Sequence, residues 1–174
     1  SVFLDDAFAN FKGMSYVSAR HESAAVMMAV GYYKLSQKPG VALVTTGPGG
    51  ANAVGGVVEA WVDSVPTIII SGQVDSKFLD QDLRYFGVQG LNILPIIKPI
   101  TKFSKTITDP YSIQYYLDKA LYLALEGRPG PVWIDLPIDI QGGILDANEL
   151  KIFEKKQLPI NNENSESVSI IFKM

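Results

Sequence analysis

Short β-favouring runs alternate with helical periodicity through the middle of the chain, as in βαβ units built on a largely parallel sheet. Strands are predicted at Tyr16–Ala19, Val41–Thr45, Thr67–Ser71, Ile100–Lys105 and Val132–Asp135. Val41-Ala42-Leu43-Val44 and Thr67-Ile68-Ile69-Ile70 lack the apolar/polar alternation of a half-exposed strand. Strands of that kind are covered by helices on both faces, so these two are placed at the centre of the sheet. Helices are predicted at Ser23–Ser36, Gly50–Val62 and Tyr111–Glu126. The last carries Ile113, Tyr116, Leu117, Ala120, Leu121 and Ala124 on one face, with Asp109 before it and Gly127 after it as stop signals. The first has no charge from Ala24 through Tyr33, and a helix apolar on every side must be covered on every side. A subunit interface is the cover expected. The fold class predicted is α/β, with a doubly wound parallel sheet.

Composition narrows the picture. A length of 174 residues lies within the range of roughly 100 to 200 that one domain occupies. The charged share is 19%, below the usual value of about 25%, which again points to a covered surface. A formal net charge of −3 and a pI near 5.1 give no electrostatic reason for binding nucleic acid or an anionic membrane. With no Cys there is no disulfide framework, thiolate nucleophile or Cys-based zinc site, which suits a reducing, cytoplasmic setting. The uncharged run Pro39–Val58 is as long as a membrane span, but Pro39, Pro48 and six glycines make it a buried strand followed by a tight turn. No secretory signal pattern opens the chain. The predicted domain covers residues 1–142. The stretch 143–167, ending in the polar KKQLPINNENSES, reads as a linker, and 168–174 as the first residues of a further domain.

Three segments could carry chemistry. His21-Glu22 opens the uncharged helix at the predicted end of a strand, where ligands of parallel α/β sheets collect. A carboxylate there, beside an apolar helix, is partly desolvated, which favours its protonated form. The alternative is a first-turn acid favoured by the helix dipole. His21 has no second His four residues on and so forms no HExxH zinc site; it is assigned a structural or hydrogen-bonding role. The second segment, Thr45-Thr46-Gly47-Pro48-Gly49-Gly50-Ala51-Asn52, runs from a strand end through a glycine turn into a helix. Such a turn lets backbone approach a ligand closely, although it also suits a purely structural turn. Asn52 occupies the third-glycine position of a dinucleotide fingerprint, and no Gly-Lys-Ser/Thr follows. The third segment, Gly127 to Pro137, reads as a helix stop, a rigid turn and a buried strand.

Taken in order, five blocks resemble the pyrimidine-binding domain of thiamine diphosphate enzymes of the acetolactate synthase type. They are RHESAA (Arg20–Ala25), KPGVALVTTGPGGAN (Lys38–Asn52), DSVPTIIISGQV (Asp63–Val74), ITKFS (Ile100–Ser104) and GRPGPVWIDLPIDIQ (Gly127–Gln141). The resemblance runs from about Ser1 to Gln141, and five blocks in register make it specific. It implies that Glu22 hydrogen-bonds a ring nitrogen of the cofactor's aminopyrimidine and promotes formation of the nucleophilic carbon that attacks a 2-keto acid. Decarboxylation and addition to a second carbonyl compound follow, the chemistry of a lyase and transferase. Pro48 and Asn52, with Gly47 and Gly49, then line the cofactor pocket. Gln89 lies near the substrate, flanked by Val88 and Ile138 where the family has Phe and Lys, so acceptor choice is expected to shift away from pyruvate.

The resemblance also implies a homo-oligomer, dimer or tetramer, formed through the 23–36 region. The diphosphate and its Mg2+ would be held by a domain of a partner subunit. That domain is marked by a Gly-Asp-Gly this chain lacks, and FAD is left open. The family's opening helix, first strand and glycine loop would precede Ser1, so the fold is expected to be truncated at its N-terminus and the fragment alone inactive. Two other readings stay in view: a non-catalytic regulatory or interaction domain of the same fold, and a nicotinamide-binding domain.

Overall fold

The computed structural model describes residues 2–79, 83–84 and 86–154. Four strands, β1 (Gly40–Val44), β2 (Thr67–Gln73), β3 (Phe103–Thr106) and β4 (Val132–Pro137), form one sheet in the order β1-β2-β4-β3. Every pair is parallel. Helices α1 (Val2–Asn10), α2 (Glu22–Ser36), α3 (Pro48–Val62), α4 (Leu94–Ile97), α5 (Ile113–Leu125) and α6 (Ile138–Gln141) connect and flank it.

Strand side chains point alternately to the two faces, and each face has its own helices. On one, Ile69, Trp133, Ala42 and Val44 join Val26 and Ala29 of α2 with Ala53 and Val57 of α3. On the other, Ile70, Val132, Ile134 and Leu136 meet Ala120 and Ala124 of α5. The doubly wound α/β architecture expected from the sequence is therefore present. Each Ile or Val wholly withdrawn from water, such as Ile69, Ile134, Val26 and Val57, contributes on the order of 2 kcal/mol.

Three expectations about strands are corrected. Tyr16–Ala19 forms no strand: the segment is irregular, and Tyr16 and Val17 are 62% and 75% exposed. The run is short, Tyr16 and Val17 are adjacent rather than alternating, and no described strand pairs with it. Consequently β1 is an edge of the sheet rather than a central strand, with Val41 half exposed. Helix α2 is covered on one side only within this chain. Val26, Ala29 and Val30 are buried, whereas Met27, Met28, Tyr32 and Leu35 face outward. The strand predicted at Ile100–Lys105 starts later, at Phe103, because Pro99 sits in a 3-10 turn over Lys98–Ile100.

Helix α1 lies outside the elements the sequence pattern predicts. It buries no residue fully, yet Leu4 packs against the α5 side of the core. Residues 143–154 have almost no regular structure but lie on α5, with Lys151 paired to Asp109 at 2.6 Å and the Phe153 ring against Tyr115 and Tyr122. The rest of the predicted linker, from 155, and the segment 168–174 lie outside the described residues.

The parallel arrangement puts the carboxyl ends of all four strands at one border of the sheet. Helix α3 begins at that border because it follows β1. Helix α2 ends where β1 starts and so returns its own N-terminus to the same border. The close fit of Gly40 against the Ala29 backbone of α2 fixes this approach, since a Cβ at Gly40 would stand 2.2 Å from the Ala29 carbonyl oxygen.

Candidate functional site

The site is built where the starts of α2 and α3 meet. His21 is the N-cap of α2, in extended backbone, and its Nδ1 accepts the amide hydrogen of Ser23 at 3.2 Å. That confirms the hydrogen-bonding role expected of it. Glu22 is thereby the first residue of the helix, its carboxylate at the positive end of the dipole. The two helices come unusually close because α3 has glycine at the contact: a Cβ at Gly56 would lie 2.6 Å from Val26 Cβ and 2.9 Å from the Ser23 carbonyl oxygen. At the end of this contact the Ser23 hydroxyl donates to the Asn52 carbonyl. From the same residue, Asn52 Nδ2 donates to Glu22 Oε2 at 3.1 Å. Glu22 Oε1 faces Gly49, standing 3.3 Å from where a Cβ of that residue would be.

The glycine turn performs a second task. Gly47 has φ +62°, and a Cβ on it would fall 2.1 Å from the Gln89 carbonyl oxygen, so backbone rests on backbone. Gln89 itself has φ +61°, a left-handed conformation that costs a non-glycine residue of order 1 kcal/mol or more. Between these turns lies a shallow pocket of about 350 Å³ lined by Gly47, Pro48, Ala51, Gln89, Gly90 and Leu91. The structure thus brings Glu22, Gly49 and Asn52 together, and Gly47, Pro48 and Gln89 together, around the start of α3. Val88 and Ile138 are 80% and 36% exposed, and neither lines this pocket. Ile138 opens α6 beside Asp139, which accepts from the Ser76 amide and hydroxyl at 2.9 and 2.6 Å.

Beneath the pocket the strand ends hold a buried polar network. Asp135, only 2% exposed, accepts from Ser71 Oγ at 2.5 Å, Gln73 Nε2 at 3.1 Å and Thr106 Oγ1 at 3.2 Å. Ser71 Oγ accepts in turn from Trp133 Nε1 at 2.8 Å. Burial pushes the Asp135 carboxyl up to about 6, against the opposing pull of the Ser71, Gln73 and Thr106 donors. Among the described residues no cluster of His, Cys, Asp or Glu could hold a metal ion, and no helix is long and apolar enough to cross a membrane.

Comparison with known proteins decides the family. Residues 3–86 match the family described as "Thiamine pyrophosphate enzyme, N-terminal TPP binding domain". The chain carries a domain of that family. It is acetolactate synthase-like in sequence: it is 44% identical over 137 residues to the acetolactate synthase large subunit of Lactococcus lactis, an alignment covering 79% of this chain and 23% of the relative. It is 41% identical over 135 residues to the isozyme 3 large subunit of Escherichia coli, covering 78% and 23%. It is also 37% identical over 141 residues to the chloroplastic acetolactate synthase of Arabidopsis thaliana, covering 81% and 20%. The chain spans 20% to 23% of the length of these three relatives.

Within this thiamine pyrophosphate enzyme domain, several residues that shape the site escaped sequence reasoning. Ser23 and Gly56 set the α2–α3 contact, and neither type stands out in a helix. Ser71, Gln73 and Asp135 did leave a signal, because polar residues inside apolar strand runs must find partners when buried.

The Asp135 carboxyl supplies a pH signature. Its proton is held up to about pH 6 in the folded chain but only to about 3.9 in an unfolded one. Between those values the folded state binds more protons, so this contribution is complete below about pH 4 and is lost as pH rises through about 6, a change on the order of 3 kcal/mol. Denaturant unfolding followed by tryptophan fluorescence, at steps from pH 4 to pH 7, will show a downward slope that Asp135→Asn removes. Parallel curves for the two proteins would contradict this.

Proposed function

We propose that this chain supplies the acid side of a thiamine diphosphate site, receiving the cofactor's aminopyrimidine, in a complete enzyme that joins 2-keto acids as an acetolactate synthase-like carboligase. The observation that carries the reading is the Glu22–Asn52 pair beside the glycine turn. One carboxyl oxygen of Glu22 is engaged by the Asn52 amide and the other stands beside Gly49, where the lack of a side chain lets the carboxyl and the Thr45 methyl pack against the start of α3. A carboxyl so oriented can hold a proton at Oε1 for a ring nitrogen.

When bound, thiamine diphosphate supplies a nucleophilic carbon able to attack a 2-keto acid. The chain's own part is to orient and protonate. Asn52 fixes the rotation of the Glu22 carboxyl. Gly47, Pro48 and Gln89 form a wall with little polar surface, against which an aromatic ring can lie without competing hydrogen bonds. In this reading the diphosphate and Mg2+ are held by a domain of a partner subunit.

The partner is a second copy of the protein. Met27, Met28, Tyr32 and Leu35 of α2, with Val58, Trp61 and Val62 of α3, present exposed apolar surface on the two helices that build the site. A subunit covering them would also be placed beside Glu22. Val88 and Ile138 shape the acceptor side in this reading.

Glu22→Gln in the complete enzyme is expected to slow deuterium exchange at the cofactor's reactive carbon by at least about 100-fold, with the thermal midpoint unchanged; unaltered exchange removes Glu22 from the mechanism. Sedimentation equilibrium should show concentration-dependent association that Met28→Asp with Leu35→Asp abolishes, and a monomer at every concentration refutes the helix-mediated contact. Given pyruvate alone, the complete enzyme should form acetolactate poorly compared with mixtures containing a second carbonyl compound. Efficient conversion of pyruvate would show that Val88 and Ile138 do not set acceptor choice.

A further inference from the structure

We propose that Gln73, oriented by Asp135, is a positioning residue that fixes the glycine turn against the Gln89 turn and so sets the shape of the pocket between them. The inference rests on the cofactor reading above for its consequence, but not for its geometry.

Gln73 is buried, with 5% of the residue exposed, and all four hydrogen-bonding positions of its side-chain amide are filled. Nε2 donates to the Leu91 carbonyl at 2.9 Å and to Asp135 Oδ2 at 3.1 Å. Oε1 accepts from Thr46 Oγ1 at 3.1 Å and from the Val74 amide at 2.9 Å. Thr46 immediately precedes Gly47, and Leu91 lies two residues beyond Gln89. One amide therefore holds both walls of the pocket, at the points where each leaves for its turn.

The partners select Gln. A carboxylate offers acceptors only, so Asp135 requires the nitrogen end of the amide to face it. The Val74 amide is a donor and requires the oxygen end. With the amide fixed in this sense, Thr46 is held by its hydroxyl and Leu91 by its carbonyl. Glu at this position could reach neither Leu91 nor Asp135 as a donor and would set two acids against each other; Met would fill the space and hold nothing. Asp135 is itself held by Ser71 of β2 and Thr106 of β3, so the amide is anchored to three strands rather than to a mobile loop. The direct contact of Gly47 with the Gln89 carbonyl leaves no slack: a displacement of either wall must open the pocket or break the contact.

The test uses Gln73→Met and, as its conservative counterpart, Gln73→Glu, with Glu22→Gln alongside. Amide hydrogen exchange in Gln73→Met is expected to accelerate about tenfold in residues 46–52 and 87–91, the effect of losing a net hydrogen bond of about 1.4 kcal/mol, while β4 and α5 keep their protection. Half-saturation by thiamine diphosphate in the complete enzyme should rise about tenfold with kcat changed less than threefold. In Gln73→Glu, lowering the pH protonates both the new acid and Asp135, ends their repulsion and returns one donor, so protection in residues 87–91 should recover relative to Gln73→Met compared at the same pH.

Exchange that accelerates evenly across the whole sheet, or in neither segment, overturns the positioning role. Normal cofactor saturation in Gln73→Met while Glu22→Gln abolishes proton exchange also overturns it and leaves the cofactor reading standing. If Glu22→Gln has no effect, the cofactor reading falls, and the local exchange pattern alone still decides the claim about Gln73.

Discussion

A carboxylate can be kept inside a parallel sheet only if its lone pairs find donors, and Asp135 finds them on two neighbouring strands. Serine and glutamine from β2 and threonine from β3 converge on it, while Trp133, wholly buried on the same face, hands its indole hydrogen to the serine. The carboxyl ends of three strands are thereby held together by polar contacts, at the border where the site is built. Burial and hydrogen bonding oppose each other at this group, and burial prevails. Everything that leaves the sheet at that border, the glycine turn, the Gln89 turn and the start of α6, starts from a fixed frame.

The second constraint is the approach of α2 to α3. A carboxyl group and an amide thirty residues apart in sequence meet at 3.1 Å because glycine at position 56 allows the helices to touch. A residue with a side chain there would drive Val26 and the backbone of α2 outward, and Glu22 stands on the end of that lever. Gly56 therefore serves the acid indirectly, through distance, while Gly49 stands beside its Oε1.

How much of this the sequence disclosed follows from which interactions are local. The continuous apolar runs and the amphipathic face of Ile113–Leu125 were readable because periodicity reports burial directly. The residues gathered at the start of α3 were readable because strand end, glycines and helix start are contiguous. Tyr16–Ala19 was misread because strand formation needs a partner, which composition cannot show, and the edge position of β1 follows from the same omission. The Gln73–Thr46–Leu91–Asp135 network joins segments up to 89 residues apart, and no local pattern announces which buried polar residues will meet.

The edge position of β1 bears on how the chain behaves in concentrated solution. Along its outer side the backbone N–H and C=O groups of Gly40–Val44 face no described strand, with the half-exposed Val41 among them. A row of this kind is an adhesive seam that accepts any extended segment. It carries no lysine, and its proline, Pro39, stands just outside the strand. An edge of this kind favours sheet-bonded association when the chain is concentrated.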